Sequence, residues 1–171
     1  MVDTIIKEKL LERNGEYNFK ELVDFIESSG YKYTSKELRG PLAIATSSGV
    51  LINSSLLDRI DDKFVFFVLL HETAHMKRIN KMGKSEMIRN LSLEDFNEFM
   101  NHILYEEILA DRYACKLFYS FNKVIYPWYE TQQLNLPDRQ KKYEQIAMGY
   151  YGHIQNDEKK YDEVINSFII K

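Results

Sequence analysis

The chain has 171 residues, of which 44% are hydrophobic and 29% charged, and its formal net charge at pH 7 is −3. This length and composition predict a single globular domain over residues 1–171, large enough for a real core. The acidic balance argues against attraction to nucleic acid, the longest apolar run is too short to span a bilayer, and the single cysteine, Cys115, excludes an internal disulfide.

The N-terminal part, residues 1–37, is predicted to hold two helices and a short strand. The first helix covers residues 3–13, and the second covers residues 19–29 with Asn18 as its N-cap. Weak alternation of apolar and polar residues then predicts a strand at residues 31–34. The first helix is expected to bury one face, formed by Ile5, Ile6, Leu10 and Leu11.

Residues 38–121 contain the clearest strand signals and the functional motifs. Residues 41–46 and 50–53 are predicted to pair as a hairpin, because the Ser-Ser-Gly sequence between them is typical of a loop. The sheet is therefore expected to be small and to lie just before the helix that carries the motif. A free edge of this sheet could pair with an extended peptide by strand addition, unless loops cover that edge.

Residues 64–78 are predicted to form a helix that carries His71, Glu72 and His75 in the order His-Glu-x-x-His. Residues i and i+4 of a helix lie on the same face, so both imidazoles aim at one point, which suits a zinc ion. Glu72 is offset by about 100° and leans toward the open side of such an ion, where it can act as a general base. The alternative is that two core histidines fall four positions apart by chance, but buried imidazoles would still need polar partners.

The longest helical pattern covers residues 92–121, and its apolar stripe is interrupted by Glu107. A carboxylate on a core-facing stripe is costly unless it is paired or binds a metal, which predicts Glu107 as the third metal ligand. The adjacent Glu106 is the rival candidate. One turn further on, Asp111 could accept the second N–H of a histidine and fix its orientation, or form a surface salt bridge.

Residues 122–171 are predicted to form a C-terminal helical part, with helices at residues 138–151 and 157–170. No residue in the sequence stands out as the group that would stabilise an oxyanion. Packing or solvent exposure is the simpler explanation for each side chain considered for that role, namely Tyr105, His102, His153 and the C-terminal tyrosines.

The predicted ligands His71, His75 and Glu107 would leave a fourth position of a zinc ion open for water. A catalytic zinc lowers the pKa of bound water to around 7, and Glu72 would take the proton and carry it to the leaving amine. The residue types and their spacing therefore predict metal-assisted hydrolysis.

At these residues the chain resembles the gluzincin class of zinc metallopeptidases. The sequence HETAH at 71–75 fits the signature of the class, and EILAD at 107–111 fits its Glu-x-x-x-Asp pattern. More narrowly, the chain resembles the ImmA/IrrE family. That similarity lies in GVLIN at 49–53, in the Phe-rich helix before HETAH and in ADRYACKLF at 110–118, and it covers roughly residues 38–118.

The resemblance implies an α+β, mostly helical zincin-like domain in which a small sheet packs against the HExxH helix. It also implies a zinc-dependent endopeptidase that cuts a protein partner, often a transcriptional repressor. The chain departs from many members of the family, which have Leu-Gly where it has Thr73 and Ala74. We expect a cytoplasmic protein with a protein or peptide substrate and without direct binding to nucleic acid or membrane.

Two other functions stay open at this point. A non-catalytic protein with the same fold could bind and sequester a partner, although a purely structural site has no use for a general base such as Glu72. A zinc hydrolase of a non-peptide substrate is also compatible with the sequence, because zinc chemistry is not confined to amides.

Overall fold

The computed structural model describes residues 1–13, 15–39, 41–82 and 96–126. Within these residues it contains five helices and one three-stranded sheet, which confirms the predicted α+β class. No helix in these ranges combines the length and the apolar character of a membrane span. In chain order the elements are α1 (Thr4–Leu11), α2 (Phe19–Ser28), β1 (Lys32–Ser35), β2 (Ala43–Thr46), β3 (Gly49–Ile52), α3 (Ser54–Leu57), α4 (Asp62–Met82) and α5 (Phe96–Asn122).

The sheet has the strand order β1-β3-β2. Strand β2 pairs antiparallel with β3 through a tight turn, which confirms the predicted hairpin, and β1 pairs with β3 in parallel. The outer edge of β1 is covered by the first residues of the chain, since Asp3 N–H donates to the Tyr33 carbonyl at 2.8 Å. Within the described residues the outer edge of β2 has no strand partner.

Gly49 begins β3 at a position where the backbone of β1 passes very close. Its φ is +151°, and a Cβ atom built there would lie 2.0 Å from the Lys32 carbonyl oxygen. We expect Gly49→Ala to lower the free energy of unfolding by more than about 1 kcal/mol in urea titrations. Gly30→Ala is the control, because Gly30 also has a positive φ (+74°) but has open space at its Cβ, and its loss should be the smaller one.

The face of α1 that was predicted to be buried is narrower in the structure. Ile6 and Leu10 are fully buried, but Ile5 and Leu11 are 53% and 41% exposed, so the prediction was wrong for these two residues. Residues four apart share a face, whereas Ile5 and Leu11 lie about 100° to either side of it. The helix also ends at Leu11, before the predicted residue 13, and the Arg13 guanidinium binds the Asp62 carboxylate instead.

Asn18 precedes α2 as predicted, but its side chain does not cap that helix. Its amide group instead donates to the Phe121 carbonyl oxygen at 2.6 Å, and its backbone N–H donates to Asn122 Oδ1 at 2.8 Å. The predicted N-cap position is therefore confirmed, but a contact with a distant helix end takes the place of the capping hydrogen bond. The contact ties the start of α2 to the C-terminal end of α5.

The core of the protein lies around α4, whose first half is apolar on nearly every side. Phe66 is fully buried, and its ring centroid lies 5.1–6.4 Å from those of four other aromatic residues, Tyr17, Phe19, Phe118 and Phe121. On the sheet side, the Tyr33 hydroxyl lies 2.5 Å from Thr73 Oγ1, which in turn donates to the Leu69 carbonyl. Helix α4 is thereby held against both α5 and β1.

Helix α4 continues to Met82, four residues beyond the predicted end at residue 78. Polar residues just before this last part contact α5. The Lys77 ammonium lies 5.1 Å from the centre of the Tyr113 ring, and Arg78 forms an ion pair with Glu106. These contacts hold α4 against α5 as far as Arg78, directly before the additional turn.

Helix α5 occupies the region of the longest predicted helix and packs antiparallel to α4. Two residues of its predicted apolar stripe, Ala110 and Ala114, are buried as expected, and two more, Leu117 and Phe121, are partly buried against the core. The predicted helix start at Ser92 and the two predicted C-terminal helices at 138–151 and 157–170 lie outside the described residues.

Candidate metal centre

Helix α4 brings the two histidines of the motif together. The Nε2 atoms of His71 and His75 are 3.0 Å apart, and the ring centroids are 4.6 Å apart. This proximity follows directly from their i, i+4 spacing on a regular helix. The structure therefore presents two nitrogen donors at one point, as the sequence predicted.

Helix α5 adds a carboxylate to the same point. The Glu107 oxygens lie 3.2 Å from His71 Nε2 and 3.1 Å from His75 Nε2. The three residues form a cluster that could hold a metal ion. Two donors bonded to one tetrahedral zinc at about 2.0–2.1 Å would be about 3.3 Å apart, so the observed separations suit such an ion. The exposed fractions of the His71, His75 and Glu107 side chains are 13%, 14% and 12%, which leaves the point within reach of solvent.

Asp111 orients the first histidine. Its Oδ1 atom lies 2.9 Å from His71 Nδ1, and the Asp111 side chain is only 6% exposed. When the Nδ1–H of His71 donates to this carboxylate, the lone pair of Nε2 points toward His75 and Glu107. A carboxylate behind a histidine is the usual way in which proteins fix a metal ligand. The structure thus places Asp111 where the sequence reasoning proposed it.

The charges at the cluster favour a cation. Burial alone would lower the pKa of His71, but hydrogen bonds with Asp111 and Glu107 raise it well above 6.5. Burial would likewise lower the pKa of His75, and the charge of Glu107 raises it instead. Burial would raise the pKa of Glu107, but the two imidazoles hold it well below its usual range. The site therefore attracts positive charge, which protons or a metal ion can supply.

Glu106, the rival ligand, is directed elsewhere. Its carboxylate accepts hydrogen bonds from Arg78 Nε at 2.7 Å and from Arg78 Nη2 at 2.5 Å. It is not a member of the cluster of possible metal ligands found among the described residues. The structure therefore brings Glu107 to the imidazoles, and Glu106 to a guanidinium.

This separation gives a test of the ligand assignment. We expect Glu107→Gln to weaken zinc affinity more than about 100-fold, beyond the 10- to 100-fold that residues behind a ligand typically contribute. Glu106→Gln is the matched control, with the same chemical change one residue away, and its effect should be at most about 10-fold. Competition with a chromogenic chelator measures both affinities. Equal losses in the two variants would contradict the assignment.

Glu72 lies on the side of α4 that faces the sheet. Its Oε2 atom accepts a hydrogen bond from the backbone N–H of Ala45 at 2.7 Å. Burial raises the pKa of the Glu72 carboxyl, and the charges of His75 and His71 only partly oppose this effect. A carboxylate whose pKa is raised, next to candidate metal ligands, is better suited to exchange protons than a carboxylate with its ordinary pKa.

Sequence reasoning missed two contacts around the cluster. Nothing in the sequence pointed to the Ala45 N–H as a partner of Glu72, because a backbone group carries no sequence signal. The pair of Arg78 and Glu106 had a partial signal, since Arg78 follows His75 by one turn on the same helix.

Two of the oxyanion candidates, His102 and Tyr105, lie where only the backbone is described, and His153 lies outside the described residues.

Comparisons of the chain with models of known protein families, with curated proteins and with solved structures found no match.

Proposed function

We propose that this protein is a zinc metallopeptidase of the gluzincin type, related to the ImmA/IrrE family. The observation that carries the proposal is the convergence of two Nε2 atoms and one carboxylate from two helices, with Glu72 beside them. His71, His75 and Glu107 would hold the ion, and Asp111 would orient His71. Zinc bound there would supply an acidic water and polarise a carbonyl group.

Glu72 is the proposed general base and acid. Its carboxylate would take a proton from the attacking water and deliver it to the leaving amine, which requires a pKa close to the working pH. The burial that raises the pKa of Glu72 favours this role. The Ala45 N–H holds one carboxylate oxygen in place and so limits the rotation of the side chain.

The proposed substrate is a protein segment in an extended conformation. The outer edge of β2 runs past Glu72, as the hydrogen bond from Ala45 shows, and within the described part of the chain no strand pairs with it. An edge strand next to the catalytic carboxylate supports the binding of a peptide by strand addition. A transcriptional repressor as the natural substrate rests on the family resemblance alone.

Metal content provides the first test of the proposal. Purified protein should hold about one zinc per chain, and His71→Ala should remove it, because two remaining ligands bind weakly. Elemental analysis after dialysis measures both. A protein that takes up no zinc at neutral pH would exclude the proposed function.

The pH dependence of stability offers a second test. Without metal, the protonated imidazoles of His71 and His75 stabilise the fold fully below their ordinary pKa of 6.5, and this stabilisation is lost as the pH rises through their raised values. Glu107 acts in the opposite direction, so its contribution is lost as the pH falls through its lowered pKa. We expect the chelated protein to melt at a lower temperature at pH 9 than at pH 6.

The stabilisation that zinc provides should depend on pH in the opposite direction. A bound ion replaces the protons on the imidazoles, so its stabilising effect should grow from pH 6 to pH 9. Thermal melts with chelator and with excess zinc at both pH values measure the difference. A zinc effect that is the same at both pH values would show that the imidazoles do not bind the ion.

A second candidate function is a non-catalytic protein that binds a partner. One observation favours it: the Glu72 carboxylate is already engaged by the Ala45 N–H, so it can serve as a structural link between α4 and the sheet. The two candidates differ in what happens when Glu72 loses its charge, because only the hydrolase would lose its activity.

A further inference from the structure

An ion pair between Arg78 and Glu106 lies next to the candidate metal ligands along both helices, because Arg78 follows His75 by three residues and Glu106 directly precedes Glu107. The Glu106 side chain is only 5% exposed, and the Arg78 guanidinium holds both of its oxygens, at 2.7 and 2.5 Å. A bidentate pair of this kind is short, directional and strongly orienting. Removing one partner of a buried pair leaves an uncompensated charge, which is far more costly than the net value of the pair.

The position of this pair is set by the antiparallel packing of α4 and α5. Along α4 the contacts with α5 come in the order His71, His75, Arg78, and their partners on α5 are Asp111, Glu107 and Glu106. Glu107 is therefore the middle contact of three. Its neighbours on both sides are fixed, one by an imidazole and the other by a guanidinium.

Two adjacent carboxylates at this place create a problem for a metal site. Glu106 and Glu107 are both buried and both contact α4, and a divalent ion attracts either one. If Glu106 were without its guanidinium, its buried charge would be stabilised best by the ion itself. A second carboxylate on the ion would take the position that a hydrolytic zinc keeps open.

We propose that Arg78 is a positioning residue that decides which of the two carboxylates binds the metal. By holding Glu106, it restricts the ligands to His71, His75 and Glu107. This inference rests on the proposed function, because it assigns Arg78 a task only if an ion binds at the cluster. This positioning role differs from that of a purely structural ion pair, which would stabilise the fold without affecting which residues bind the metal.

Cobalt spectroscopy can separate these two roles. Cobalt(II) commonly substitutes for zinc, and the intensity of its visible absorption falls when the number of ligands rises above four. The variants are Arg78→Met, which leaves Glu106 without the guanidinium, and Arg78→Met with Glu106→Leu, which also removes the competing carboxylate. The control is Arg13→Met, because Arg13 is an arginine with an 11% exposed side chain, against 30% for Arg78, and its ion pair, with Asp62, involves none of the proposed ligands.

We expect Arg78→Met to weaken and shift the cobalt absorption, because Glu106 joins the ligands. The double variant should regain the spectrum of the unmodified protein, because the competing carboxylate is gone, and it should melt at a higher temperature than Arg78→Met, because no uncompensated charge remains. Arg13→Met should lower the melting temperature and leave the spectrum unaltered. An unchanged spectrum in Arg78→Met would overturn the proposal. A double variant whose spectrum is no closer to that of the unmodified protein than the spectrum of Arg78→Met would overturn it as well.

Milder variants keep the test decisive if Arg78→Met does not fold. Arg78→Gln can keep at most one of the two hydrogen bonds to Glu106 and removes the charge, so it should give a smaller spectral change in the same direction, reversed by adding Glu106→Gln. The unmodified protein serves as the reference for the proposed function. If it fails to bind cobalt and zinc, the metal site itself is wrong, whereas normal binding with no response to Arg78 contradicts only the positioning role.

Discussion

Glu72→Gln is expected to retain zinc and to slow proteolysis by about 100- to 10,000-fold, the range that a positioned acid–base group contributes. The amide cannot take a proton from water, but its oxygen can still accept the hydrogen bond from the Ala45 N–H. The fold should therefore survive the change. A matched control is Glu27→Gln, because Glu27 lies on α2 and pairs with Lys7 at the surface.

Because the proposed substrate is a protein segment of unspecified sequence, the measurement is a comparison of newly formed N-termini in a whole proteome. Unmodified protein and Glu27→Gln should generate the same set of fragments, and Glu72→Gln should generate almost none. Zinc content, measured on the same samples, shows that lost activity is not lost metal. If the unmodified protein and Glu72→Gln give identical fragments, the hydrolase proposal fails and the binding function takes its place.

Phe66→Ala is expected to lower the free energy of unfolding by about 3–5 kcal/mol, the usual cost of removing a fully buried aromatic ring. Phe66 is 0% exposed and lies among four other aromatic rings of α2, α5 and the segment before α2. These rings cannot all move to fill the space that the side chain leaves. Urea unfolding, followed by circular dichroism, measures the loss.

Phe64→Ala is the control for this prediction. Phe64 lies on the same helix, two residues earlier, but it is only partly buried against the core. Its replacement should cost less than half as much, since a partly exposed ring loses less contact with the protein interior. A similar loss in both variants would mean that the aromatic cluster is not the centre of the core.

The candidate metal donors of α4 and the hairpin were accessible to sequence reasoning because their signals are local. His71 and His75 meet through the geometry of one helical turn, and the β2–β3 pairing follows from two short apolar runs joined by a tight loop. Glu107 was accessible for a different reason. A carboxylate on an apolar stripe is costly enough to demand a partner, even before that partner is known.

Local signals failed where a contact between distant segments decided the outcome. Asn18 has the right side chain for an N-cap, yet it binds the end of α5. Ile5 and Leu11 are apolar, yet the rest of the protein covers only the stripe of Ile6 and Leu10. In each case the sequence specified what a residue could do, and the surroundings selected among the possibilities.

The sequence by itself determined the chemical groups of the candidate site. It places two imidazoles and an acid within about one turn of a single helix, adds a carboxylate on a second helix, and puts a small hairpin before them. What only the tertiary structure decided is the choice between Glu106 and Glu107 and the partners of Glu72 and Arg78. The physical reason is distance along the chain. The periodicity of one helix places its own side chains, but the angle and offset at which two helices pack depend on every side chain between them.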